Sequence, residues 1–141
     1  MKKTPLQQSI ADHEGFSPAV YTCPAGHPTI GYGYNLAAGM TPAEGLLLMQ
    51  ARLAAIEGEL QYSFDWFDGL ARLRKDVLVE MGYQMGLDGL YQFKKTLRLV
   101  GAGMYDQAAT EMLDSAWAAQ TPGRAENLAA KMRAGCTKKE G

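Results

Sequence analysis

Apolar positions follow a helical period over most of this chain, and the rhythm breaks once, near the start. Leu6, Ile10 and His13 share one face of a helix predicted from Pro5 to about Glu14, which Gly15 ends. Residues 18–34 then lose the period. Val20-Tyr21-Thr22 and Thr29-Ile30-Gly31-Tyr32-Gly33-Tyr34 are short β-branched and aromatic runs around Pro24, Gly26 and Pro28, which predicts a small hairpin or meander. The helical period resumes from Pro42 to about Tyr62, with Leu46, Leu47, Met49, Leu53, Ile56 and Leu60 on a broad apolar stripe. Further helical patterns fall at about 70–85, near 90–100, at 105–116 and at 122–134, the last stopped by Gly135.

Three of these helices open on Thr-Pro, where Thr suits the cap and Pro the first helical position. Thr4-Pro5-Leu6-Gln7 and Thr41-Pro42-Ala43-Glu44 also have the spacing of a capping box. There is no internal repeat, and the tail Thr137-Lys138-Lys139-Glu140 reads as solvated. The order of elements predicts an α+β, mostly helical chain with two unequal lobes and a ligand cleft between them.

Composition narrows this little. At 141 residues, 47% hydrophobic and 21% charged, the chain has the makings of one domain with a core of its own. No apolar window is long enough for a membrane span, because Arg52, Glu57 and Glu59 interrupt the richest one. The opening MKKTPLQQ has no apolar stretch of the signal-peptide kind, so a cytosolic protein with free Cys23 and Cys136 is expected. Charge is uneven: three bases face seven acids over residues 1–69, and eleven bases face eight acids over residues 70–141. That asymmetry favours an anionic substrate at the C-terminal half and is too weak for a nucleic-acid face.

The chemistry crowds into residues 13–36. Glu14 ends the first helix, where the negative end of the helix dipole disfavours a carboxylate and so suits a general acid. It also reads as a plain surface glutamate. Cys23 and Thr29 flank the predicted hairpin, which would bring both to one edge of a cleft. Taken singly they read as a small buried hydrophobe and an ordinary strand residue. Gly31 and Gly33 would let a bulky ligand approach the strand. His13, Glu14, Cys23 and His27 match no metal-site spacing, so no metal and no cofactor is expected, and a Cys-His hydrolase has few partners to draw on.

HEG at 13–15, TIGYGYNL at 29–36, YQMG at 83–86 and WAAQTPGRA at 117–125 together resemble the phage-type lysozymes (muramidases) of glycoside hydrolase family 24, of the T-even type. The similarity runs from about Leu6 to Gly135 with order and spacing kept. It implies a two-lobed lysozyme-like fold: a small lobe at about 16–40, a linking helix at about 42–62, and a helical lobe at about 63–135 that includes the N-terminal helix 5–14. Because the segment between Tyr34 and Thr41 is short, the small lobe should be a reduced one.

The resemblance also implies cleavage of the β-1,4 bond between N-acetylmuramic acid and N-acetylglucosamine in peptidoglycan. The family's catalytic pattern falls on Glu14, Cys23 and Thr29. Asn35, Tyr83, Gln84, Thr96 and Glu111 fall on saccharide-contacting positions, and Arg124 on a basic residue expected near the catalytic glutamate. Trp117 reads as a core aromatic. The implied setting is a monomeric endolysin of phage or prophage, held in the host cytoplasm until a holin lesion releases it to the wall.

One departure stands out, because a thiol replaces the family's second carboxylate. An inverting glycosidase sets a base across from its acid, and a thiol is mostly neutral at pH 7 unless its pKa is lowered. Cys23 is therefore an assisting thiolate, a nucleophile, or a spacer beside water held by Thr29. A module of the same fold that binds glycan or protein without cutting is the alternative from another class.

Overall fold

In a computed structural model, residues 2–136 are described, and the Thr137–Glu140 tail lies outside them. The chain is α+β and predominantly helical, as the pattern predicts, with one small antiparallel sheet. It divides into two compact units, Met1–Leu47 and Leu48–Gly141.

The first unit opens with α1, Pro5–Glu14. Thr4 and Gln7 close a complete capping box, with the Gln7 amide donating to Thr4 Oγ1 at 3.1 Å and the Thr4 amide to Gln7 Oε1 at 2.9 Å. Gly15 terminates the helix at φ 71°. No residue of α1 is buried, and Leu6 and Ile10 are exposed. Strands β1 (Ser17–Thr22), β2 (Pro28–Gly31) and β3 (Tyr34–Asn35) follow as an antiparallel meander. Their register pairs Tyr21 with Thr29, Thr22 with Pro28, and Thr29 with Asn35, and β1 bulges between Ser17 and Tyr21. A single 3-10 turn, Leu36–Ala38, leads to α2, Pro42–Ser63, whose Thr41–Glu44 capping box forms as the sequence predicts.

The apolar stripe expected along α2 is buried only at its far end. Ile56 and Leu60 are in the core and Leu53 packs against it, while Leu46, Leu47, Leu48 and Met49 are exposed. Four consecutive residues spread around a helix at 3.6 per turn, so no one packed face takes them all.

In the second unit, a 3-10 turn at Phe67–Gly69 precedes α3, Arg72–Tyr91. The pattern placed that helix at 70–85. It breaks at Gly86, whose φ of 79° and ψ of 159° are open to glycine, and a short helical stretch then continues to Tyr91. The remaining helices are α4 (Lys94–Gly101), α5 (Tyr105–Leu113), α6 (Ala116–Gln120) and α7 (Pro122–Ala134).

The predicted 105–116 helix thus ends early, at Leu113, and a short helix that the pattern did not predict follows, where Ser115 caps α6 by accepting from the Ala118 amide. At the third Thr-Pro, Thr121 gives no side-chain cap. Its hydroxyl donates instead to the Trp117 carbonyl, at 3.0 Å, and Pro122 still begins the helix. At the other end of α7, Arg74 donates to the carbonyls of Met132 (2.7 Å) and Arg133 (2.9 Å) and stacks on Tyr105. Its guanidinium fills the space a side chain at Gly135 would need. The core runs from Ile56 through Phe67, Leu78, Met81, Leu90 and Met112 to Met132.

Candidate active site

The hairpin sets two of the three expected catalytic side chains on one face. Cys23 extends the β1–β2 ladder: its amide donates to the His27 carbonyl at 2.9 Å, and the Gly26 amide closes the turn on the Cys23 carbonyl at 2.8 Å. Side chains opposite one another, or two apart on a strand, share a face. Tyr21, Cys23, His27, Thr29 and Asn35 therefore face the same way. Thr29 is the one buried residue of the first unit among those described, at 3% exposure. Its hydroxyl donates to the His27 carbonyl at 3.0 Å.

The same turn perturbs the thiol. Foremost, the His27 amide donates to Cys23 Sγ, at 3.4 Å. That bond, helped by the amides of Ala25 and Gly26 and the Thr29 hydroxyl, lowers the thiol from its ordinary value against a smaller opposing effect of desolvation. To serve the sulfur, the Thr29 hydrogen turns from the His27 carbonyl.

Glu14 lies at the other end of the hairpin. Its side chain is exposed, and its carboxyl rests against Gly33, where a Cβ would fall 2.8 Å from Cδ and 3.1 Å from Cγ. Gly33 has φ 78° and so bends the chain as well as leaving room. The glycines were expected to admit a ligand, but the space at Gly33 is taken by Glu14, while nothing lies within 4 Å of a side chain built at Gly31. Asn35 accepts from the Ala37 amide at 2.9 Å and so caps the 3-10 turn, which leaves its side-chain NH2 for a ligand.

In the second unit the remaining expected residues fall into separate settings. Gln84 accepts from the Trp117 indole at 2.8 Å, which fixes its amide, and Trp117 itself is buried against Phe93. Tyr83, its neighbour on α3, is exposed and borders a groove with Arg52, Ile56, Glu59 and Leu87 beside the Gly86 break. Thr96 is buried, and with Glu111 it lines a pocket in which Glu111 pairs with Lys95 at 2.9 Å. Arg124 donates to Glu80 at 2.8 Å.

Sequence reasoning missed the partners. The amides of Ala25, Gly26 and His27, the Gly33 seat, Glu80 and Lys95 were not singled out. The turn-forming Pro24-Ala25-Gly26 was the available signal for the amides. No comparable signal marks Glu80 or Lys95, whose partners are distant in sequence.

Among known proteins, the family profile described as "Phage lysozyme" matches residues 11–134. Two proteins of Dictyostelium discoideum are similar over part of the chain. "Probable T4-type lysozyme 1" is 32% identical over 69 residues, which is 49% of this chain and 41% of that protein. "Probable T4-type lysozyme 2" is 33% identical over 72 residues, 51% of this chain and 42% of that protein. The chain thus spans less than half the length of these curated relatives. The profile covers α3 to α7 as well as the hairpin, so the match extends well beyond the catalytic pattern. This chain belongs to the phage lysozyme family.

Proposed function

We propose that this protein is a muramidase that hydrolyses the β-1,4 bond between N-acetylmuramic acid and N-acetylglucosamine in peptidoglycan, with Glu14 as general acid. The observation that carries the reading is the hairpin. It seats the Glu14 carboxyl on Gly33 and aligns Cys23 and Thr29 on one face, with the sulfur held by turn amides.

In this reading Glu14 delivers its proton to the glycosidic oxygen as the bond to the sugar breaks. A water on the opposite face of the sugar attacks the anomeric carbon and gives its proton to the Cys23 thiolate, while the Thr29 hydroxyl orients it. Product leaves with the anomeric configuration inverted, and a proton exchange with solvent restores both groups. The productive state needs a protonated carboxyl beside an ionised thiol, the reverse of the order in which these groups ordinarily ionise. Lowering the thiol narrows that gap, which is what the turn amides accomplish. Asn35, Tyr83, Gln84, Thr96, Glu111 and Arg124 are assigned to binding the glycan strand. A role in host lysis, as a monomer reaching the wall through a membrane lesion such as a holin pore, belongs to the same proposal. Among the described residues no helix is long and apolar enough to cross a membrane.

The test is the mass spectrum of products released from purified peptidoglycan. Fragments with muramic acid at the reducing end are expected. Anhydro sugars, free amino termini, or glycan retained uncut would each reject the proposal, the last in favour of a binding module.

A further inference from the structure

On the helical unit, beside the Thr96–Glu111 pocket with which it shares Lys94, three aromatic rings meet two cations. Phe64 and Trp66 stack with centroids 4.7 Å apart at 25°, and Tyr91 meets Phe64 edge-on at 6.0 Å. With Leu97 of α4 they wall a pocket of about 450 Å³, and Lys94 and Arg98, one helical turn apart, stand at its rim.

The aromatic wall is fixed in place. Trp66 packs on Gly101, where a Cβ would fall 2.6 Å from its Nε1, and Tyr91 is tied to Ser63 by a hydroxyl–hydroxyl bond of 3.0 Å. The polar groups, by contrast, are unused. Neither Lys94 nor Arg98 forms an ion pair with a described residue, and the Trp66 indole N–H donates to none.

These features choose a ligand. Rings and an aliphatic side chain favour a flat apolar body, since aromatic faces and edges pack best on one another. Two lysine and arginine heads and an indole N–H are all donors, so the charge they complement is negative. A neutral sugar is a poorer match, because its hydroxyls can accept from these donors but carry no negative charge to answer the two cations. The volume suits a small molecule of drug-like size. We propose that this pocket binds a planar amphipathic acid, its apolar body between Phe64, Trp66 and Leu97 and its acidic group on Lys94 and Arg98. The site is independent of the muramidase reading and stands or falls without it.

The two tryptophans supply the experiment. In the 15N spectrum of the full chain, the Trp66 indole is the reporter, and the Trp117 indole, held by Gln84, is the internal control. Titration with 2-naphthylacetate should shift the Trp66 signal saturably and leave Trp117 in place. The matching amine, 2-naphthylethylammonium, should bind at least tenfold more weakly. The double variant Lys94→Ser, Arg98→Ser changes two exposed side chains and should lose at least tenfold in affinity with both indole signals still in their folded positions. No Trp66 shift at millimolar acid, equal shifts with acid and amine, or unchanged binding by the double variant would overturn the proposal. So would a Trp66 response to anionic phospholipid vesicles alone, which would make the patch a lipid-facing surface.

Discussion

Between Met1 and Leu47 one described residue, Thr29, is buried, whereas between Leu48 and Gly141 a continuous apolar core runs from Ile56 to Met132. The first unit is held by capping boxes, a ladder and glycine turns. The second is held by packing that excludes water. Directional bonds of the first kind contribute about 1 kcal/mol each and fix local geometry, while burial supplies most of the folding free energy. The proposed chemistry sits in the first unit, where position matters and bulk stability does not.

The sharpest way to break this contrast is a truncation in each unit. Phe67→Ala should destabilise the protein by about 3–5 kcal/mol, since it empties a fully buried site. Leu47→Ser, at a position 67% exposed, should change stability by no more than about 0.5 kcal/mol. Denaturant titration of both variants measures the difference, and similar losses would erase the distinction.

Gly33→Ala sharpens the contrast from the chemical side. It costs about 1–2 kcal/mol for a left-handed backbone, and its methyl also displaces the Glu14 carboxyl. Gly31→Ala, with φ 66° and nothing in its way, carries the same backbone cost. Peptidoglycan turnover should fall at least tenfold in Gly33→Ala and stay within about twofold in Gly31→Ala. Equal losses would deny Gly33 its role as a seat.

The thiol gives a pH signature. The alkaline limb of kcat/KM should carry the ionisation of the Cys23 thiol, which the His27 amide and its neighbours in the turn displace downward from its ordinary value. Cys23→Ser should remove that limb and lower turnover at least tenfold, about 1.4 kcal/mol of transition-state stabilisation. Near-normal turnover would reduce Cys23 to a spacer.

A smaller effect belongs to Glu44. The Thr41 amide, and after it the Thr41 hydroxyl, hold its carboxyl below the usual range. A depressed folded pKa contributes stability that is complete above the ordinary glutamate value of about 4.3 and is lost as pH falls through the lowered one. Glu44→Gln should flatten stability against pH across that acid window and lower it slightly near neutrality, where the ionised carboxylate contributes in full, as denaturant titration at several pH values would show.

How much of this was legible in the sequence follows the same division. Local rules placed α1 from Pro5 to Glu14, α7 from Pro122 to Ala134 and both capping boxes, because caps, prolines and glycine stops act within a few residues. They placed Cys23 and Thr29 on the two arms of one hairpin. They missed the Gly86 break, since glycine inside a helical period signals a bend only when tertiary packing demands one. They also overestimated the α2 stripe, because periodicity marks which residues can be buried and packing decides which are. The Gly33 seat was hidden for a further reason: it joins Glu14 to a turn nineteen residues on, and no local rule pairs them.

The central claim is that one proton, held by Glu14 against Gly33, breaks the glycosidic bond. Its most direct test is the initial rate of solubilisation of purified peptidoglycan by the wild type and by Glu14→Gln, with the melting temperature of each measured alongside. The account predicts a rate loss on the order of 100- to 10,000-fold in a variant that melts with the wild type, because the general acid is gone and the exposed side chain bears no packing. A Glu14→Gln variant that solubilises peptidoglycan at near the wild-type rate would contradict it.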